Sequence, residues 1–172
     1  MSKQEDDRYK KRLSAVCGLY CPSCTVFIGT AEDPERLEAI AKRFQQPPEN
    51  WHCEGCRSKK RSYYCENLCY MAPCAENKGV DFCVECDEYP CDELRAFQAE
   101  RPHRIELWEA QERIAEVGYS QWFDEMLEHY SCPNCGTINS TYDLKCRKCG
   151  EEPSCNYVAK HKQEIEQYLK NR

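Results

Sequence analysis

The chain has 172 residues, sixteen of them cysteine, and a formal net charge of −6 with a pI near 5.4. That balance argues against a protein that wraps nucleic acid through its overall field, and no stretch approaches the roughly 18 consecutive apolar residues of a membrane span. Leu, Ile, Val and Phe number 26 of the 172, below the ~20% under which charged chains tend to be disordered, so structural metal, at on the order of 10 kcal/mol per zinc site, is expected to supply folding energy that a small aliphatic core cannot.

Residues 1–13 read as a charged lead-in with no apolar export stretch. A cytoplasmic protein with reduced thiols is the expectation, and metal ligation is preferred to a disulfide framework. Residues 14–129 read as a cysteine-rich metal-binding domain with helices. Its first helix opens at Asp33-Pro34-Glu35, with an N-cap carboxylate, proline at the first helical position and an acid in the first turn. Leu37, Ile40, Ala41 and Phe44 then share a face, and Pro47-Pro48 ends it. From Asn50 to Cys91 no period is sustained, and loops and short turns around metal are expected. Helices follow at about 92–100, 103–117 with Gly118 as the stop, and 121–129, with Ile105, Trp108, Ile114, Val117, Trp122, Phe123, Met126 and Leu127 toward the core. Residues 130–152 form a ribbon unit and 153–172 a closing helix capped by Ser154.

The strongest motif is Cys132-Pro-Asn-Cys135-Gly and Cys146-Arg-Lys-Cys149-Gly, two Cys-x2-Cys knuckles with ten residues between them. Two thiolates at this spacing sit on one tight turn and chelate a soft cation, so two knuckles complete a tetrahedral site with no open position, which marks a structural zinc. Glycine after each second cysteine suits a positive-φ position, and the intervening segment suits a short hairpin. The expected fold class is therefore a small metal-organised α+β protein: an irregular cysteine-rich domain with helices, a β zinc ribbon and a C-terminal helix.

Upstream, Cys21, Cys24, Cys53 and Cys56 make a split four-ligand site, and Cys74, Cys83, Cys86 and Cys91 a compact second one. Cys17, Cys65 and Cys69 are further ligand candidates, Cys155 has no assigned role, and His52 is an alternative donor beside Cys53. Cys17-x3-Cys21-x2-Cys24 has the spacing of radical S-adenosylmethionine enzymes, but the strand and helix alternation of their barrel is missing. The mixed spacings admit an iron–sulfur cluster, whereas the repeated x2 knuckles favour independent zinc sites.

At these residues the sequence resembles a known family. Cys17-Gly-Leu-Tyr-Cys21-Pro-Ser-Cys24, Cys53-Glu-Gly-Cys56, the turn with Lys78-Gly79-Val80, and Cys83-Val-Glu-Cys86-Asp-Glu-Tyr-Pro-Cys91 are similar to the small bacterial and archaeal cysteine-rich proteins grouped as domain of unknown function 3795. The resemblance covers about residues 14–125, with Pro102-His103-Arg104 and the Gly118 and Trp122 pair. Some members carry a trailing ribbon, and the family has no established activity, so the resemblance implies no reaction. The loop Arg57-Ser-Lys-Lys-Arg61 is longer and more basic than the family pattern.

No paired acid and base, phosphate loop or activated nucleophile stands out, so an enzyme is not the expectation. A zinc-binding structural or interaction module with a protein partner ranks first. An iron–sulfur or thiol redox protein is the alternative. Nucleic-acid binding through Arg57, Lys59, Lys60 and Arg61 comes third, because a charge run in an acidic chain is usually a solvated loop.

Overall fold

The structure is a computed structural model that describes residues 2–171. Among them are ten α-helices joined by loops and 3-10 turns: α1 (Lys3–Leu13), α2 (Thr25–Ala31), α3 (Pro34–Arg43), α4 (Tyr63–Asn67), α5 (Met71–Lys78), α6 (Asp92–Ala99), α7 (Leu107–Val117), α8 (Tyr119–Tyr130), α9 (Asn156–Lys160) and α10 (Lys162–Lys170). None is long and apolar enough to cross a membrane.

The opening segment is helical rather than a loose lead-in. Ser2 and Glu5 form a capping box, with the Ser2 N–H donating to Glu5 at 2.7 Å, so two otherwise orphaned donors are satisfied and the charged helix can start. It then packs on α8 through Tyr9 against Phe123 and Lys10 against Asp124. Asp33 caps α3 as expected, accepting from the Arg36 N–H. Between residues 50 and 91 the chain makes two short helices, α4 and α5, where loops were expected. The closing helix is two helices that break at His161.

The α+β expectation is corrected: among the described residues there is no strand. Two isolated antiparallel bridges, Ser14 with Tyr20 and Ser131 with Ile138, are all that resembles a ladder. The cause in the C-terminal segment is local. After Ile138 the fully buried Asn139 donates through Nδ2 to the carbonyls of Thr137 and Ser154 and accepts the Arg147 N–H at Oδ1, and Asp143 accepts the Ser140 N–H. Side chains thus occupy the backbone groups that a β hairpin would pair.

Two apolar clusters meet at α7. One gathers Leu13, Tyr20, Phe82, Ala110, Ile114, Trp122, Phe123, Tyr130, Tyr157, Val158 and Ile165; the other gathers Ala15, Val16, Cys17, Met71, Ala75, Leu94 and Leu107 among the N-terminal cysteines. Because α7 begins at Leu107, its inner face is Leu107, Ala110, Gln111 and Ile114, with Trp108 and Val117 at the edges. On α8, Trp122 and Phe123 are buried, but Leu127 is exposed and Tyr130 takes the inner position.

Candidate metal centre

Cys132, Cys135, Cys146 and Cys149 bring their sulfurs within 4.8 Å of one another. The Cys132 to Cys149 and Cys135 to Cys146 separations are both 3.6 Å. A tetrahedral ion with metal–sulfur bonds of about 2.3 Å holds its ligands about 3.8 Å apart, so the set fits one ion.

The two knuckles repeat one local design. The Gly136 N–H donates to the Cys132 carbonyl and the Gly150 N–H to the Cys146 carbonyl, each at 2.9 Å. Both glycines have the left-handed φ, 72° and 78°, that the chain needs to turn back under the sulfur. The amides of Asn134 and Cys135 face Cys132 Sγ, and those of Lys148 and Cys149 face Cys146 Sγ. Burial disfavours a thiolate at Cys146, yet these amides and the Asn139 side chain outweigh it and bring the group down to about 6. Cys135 is lowered by the Thr137 hydroxyl and amide. Burial pushes Cys132 up to about 11. Donors therefore already surround two of the sulfurs as a bound cation would require.

The knuckles are joined to the N-terminal helices by polar contacts. Arg36 of α3 holds Asp143 through two parallel hydrogen bonds of 3.1 and 3.0 Å, Arg147 reaches Glu32 at 2.5 Å, and the hydroxyls of Thr25 and Ser140 meet at 2.7 Å. Lys145 pairs with Glu152.

The N-terminal cysteines are close but arranged differently. None of the sixteen cysteines forms a disulfide. Cys21, Cys24, Cys53 and Cys56 are electrostatic neighbours, and Cys65 adjoins Cys24, Cys53 and Cys56. Cys17 lies near Cys56, Cys69 and Cys83, linking that group to the next. Cys74, Cys83, Cys86 and Cys91 all line one cavity of about 80 Å³. Among the described residues, however, no three donors outside the C-terminal set come within 4.8 Å of one another. Burial pushes the thiols of Cys17, Cys21, Cys24, Cys56 and Cys65 up, and Cys83 up to about 12. Without a cation these sulfurs stay protonated at neutral pH.

His52 faces Glu54 at 3.4 Å. Arg57 donates to the carbonyls of Ser14 and Asp81 and lies over the Phe82 ring at 4.7 Å, while Lys59 and Lys60 are exposed and Arg61 is half-buried. Cys155 is a buried thiol at the start of α9, inside the aromatic cluster.

Several buried or half-buried polar residues that tie the elements together carry no sequence signal of their own. Gln111 is fully buried on α7. Its Nε2 donates to the Val16 carbonyl at 3.1 Å and its Oε1 accepts the Val84 N–H at 2.7 Å, so one side chain pins the loops bearing Cys17 and Cys83. Glu106 collects His129 at 2.8 Å, His161 at 2.7 Å and Lys160 at 2.9 Å. Burial opposes its ionisation, but those hydrogen bonds prevail and hold it at about 2. His103 is kept neutral by burial and the nearby Arg104 and Arg101, at about 3, and bonds to the Tyr142 hydroxyl.

Helices joined by loops, with four thiols gathered in the segment between α8 and α9, define an all-helical, cysteine-rich protein with a site able to hold one metal ion. Residues 13–96 match the family described as "Protein of unknown function (DUF3795)". The match is just under half of the chain and takes in all eleven N-terminal cysteines, while the C-terminal four-thiol set lies outside it. No curated protein and no solved structure matches the chain.

Proposed function

We propose that this chain is a zinc-binding structural and interaction module of that unknown-function family, with one zinc on Cys132, Cys135, Cys146 and Cys149. The observation that carries the reading is the convergence of four sulfurs to single-ion spacing, with backbone amides aimed at Cys132 and Cys146. Four protein sulfurs fill a tetrahedral ion and leave no position for water or substrate, the arrangement of a structural site. Four thiolates suit iron as well as zinc; zinc is chosen because paired Cys-x2-Cys knuckles have the spacing of structural zinc sites. Bound there, the ion holds the C-terminal segment in place against α2 and α3.

The partner in this reading is another protein, in the cytoplasm where thiols stay reduced. Leu68 and Tyr70 are exposed beside Cys69 and Cys74, so apolar contact area stands next to the N-terminal cysteines. Nucleic acid is less favoured, since Arg57 is engaged within the fold and the chain is acidic. The test is metal analysis of the chain purified under reducing conditions, alongside a Cys132→Ser, Cys146→Ser double variant. The expected result is loss of one zinc per chain in the variant. Equal zinc in both proteins would remove the reading.

A further inference from the structure

The cavity between α5 and α6 is lined by the sulfur-bearing residues Cys74, Cys83, Cys86 and Cys91 together with Met71, Ala75, Val80 and Leu94. Four cysteines from three elements thus ring one space of about 80 Å³ whose walls are partly apolar, with Lys78, Glu88 and Glu93 also on its lining. Cys74 comes from the middle of α5, Cys83 and Cys86 from the two ends of a 3-10 turn closed by the Cys86 N–H to Cys83 carbonyl bond, and Cys91 from the start of α6.

The span of this ring differs from that of the C-terminal site. No three of its donors come within 4.8 Å of one another, whereas the C-terminal four do. A mononuclear tetrahedral site needs sulfurs about 3.8 Å apart. A four-iron cluster carries one thiolate on the outside of each iron and holds its ligands roughly 6 Å apart, around a core of iron and inorganic sulfide that needs room of its own. An open ring of thiols around a cavity suits the second arrangement.

Hydrogen-bond donors also face two of the four sulfurs. The Tyr70 hydroxyl faces Cys74, and the Lys78 ammonium faces Cys86 while pairing with Glu88 at 2.7 Å. Donors to cysteinyl sulfur stabilise the negative charge of a thiolate-bound centre and tune clusters of this kind.

We propose that Cys74, Cys83, Cys86 and Cys91 bind a four-iron, four-sulfide cluster, a centre different in kind from the C-terminal zinc. The proposal goes beyond the zinc reading and does not depend on it, because the two sites share no ligand. The test uses the full chain, purified without oxygen and reconstituted with ferrous iron and sulfide, with iron, sulfide and zinc counted and the visible spectrum recorded.

The expected result is about four irons and four sulfides per chain with a broad band near about 400 nm. Cys86→Ser and Cys91→Ser lose iron and band while keeping zinc and helicity, and Cys132→Ser does the reverse. Zinc without iron or sulfide, iron without sulfide, or a band that survives in both Cys86→Ser and Cys91→Ser overturns the proposal and leaves the C-terminal reading standing. Should both variants lose helicity, Tyr70→Phe decides. Its ring is half-exposed, so the change is tolerated. A shifted cluster spectrum or reduction potential supports the assignment, and an unchanged one overturns it.

Discussion

Replacing Gln111 with Leu tests whether one buried amide organises the N-terminal cysteine loops. Leucine nearly matches the volume, so the loss is of hydrogen bonds rather than packing. The Val16 carbonyl keeps a partner, because it also accepts the Cys83 N–H at 2.9 Å. The Val84 N–H loses the partner it has in Gln111 Oε1. A part-buried donor left without its partner costs up to roughly 1–3 kcal/mol and the lost bond to Val16 roughly 0.5–1.5, for a total of about 1.5–4.5 kcal/mol. For a chain of this length that corresponds to a fall in Tm of roughly 3–18 °C. The assay is thermal unfolding by far-ultraviolet circular dichroism at one fixed metal concentration, since bound metal itself shifts Tm. A fall of under about 1 °C would refute the reasoning, for it would mean that water or a local shift replaces both bonds at negligible cost.

Glu106→Gln should flatten the acid limb of stability. The carboxyl is held at about 2 against an ordinary 4.5, so its contribution is complete above pH 4.5 and disappears as pH falls toward 2. Allowing for solvent screening, the difference amounts to about 2 kcal/mol, read as convergence of wild-type and variant Tm values below pH 3. Arg36→Ala should cost about 1–3 kcal/mol by leaving Asp143 without its two-pronged partner. Arg36→Lys should restore only part of it, since an ammonium cannot make both bonds in the same geometry; full rescue in thermal unfolding would count against the geometry. His103→Phe, by removing a group held at about 3, should reduce the loss of stability between pH 6.5 and 3, checked by the same titration of Tm.

What could be read in the sequence was chemistry confined to a few neighbouring residues. Asp33-Pro34-Glu35 starts a helix because the cap, the proline and the acid act within one turn. The C-terminal cysteines converge because two-residue spacing fixes each pair on its own turn. Ser2 and Glu5 carried a capping signature as well, but a helix burying only Leu13 shows little apolar stripe. The α+β expectation failed at the segment between the knuckles. Ligand spacing is the same whether a hairpin or a side-chain-bonded turn joins them, and the deciding residue, Asn139, acts through partners up to fifteen residues away. The break between α9 and α10 lies at His161, whose ring bonds to Glu106, 55 residues earlier. Gln111 has the same character, since its partners lie 95 and 27 residues away.

The two attachments of the C-terminal segment differ in physical origin, and removing the metal should separate them. Beyond the knuckles, Tyr157 stacks on Tyr130 at 5.1 Å, and Val158 and Ile165 are fully buried. That seam is held by apolar burial at roughly 1.5–3 kcal/mol per large side chain and needs no ion. At the knuckles the fully buried residues are instead Asn139, Ser140, Thr141, Cys132 and Cys146, while Ile138, Tyr142 and Leu144 are only partly covered. Hydrogen bonds there contribute on the order of 1 kcal/mol each, far less than a bound zinc. Chelation should therefore release residues 131–152 while α9 and α10 stay docked, seen by hydrogen exchange as fast exchange at the amides of Cys135, Lys148 and Cys149 with protection retained at Ala159 and Ile165. Loss of protection in both regions together would mean that the aromatic seam depends on the metal, and the assignment of separate origins would fall.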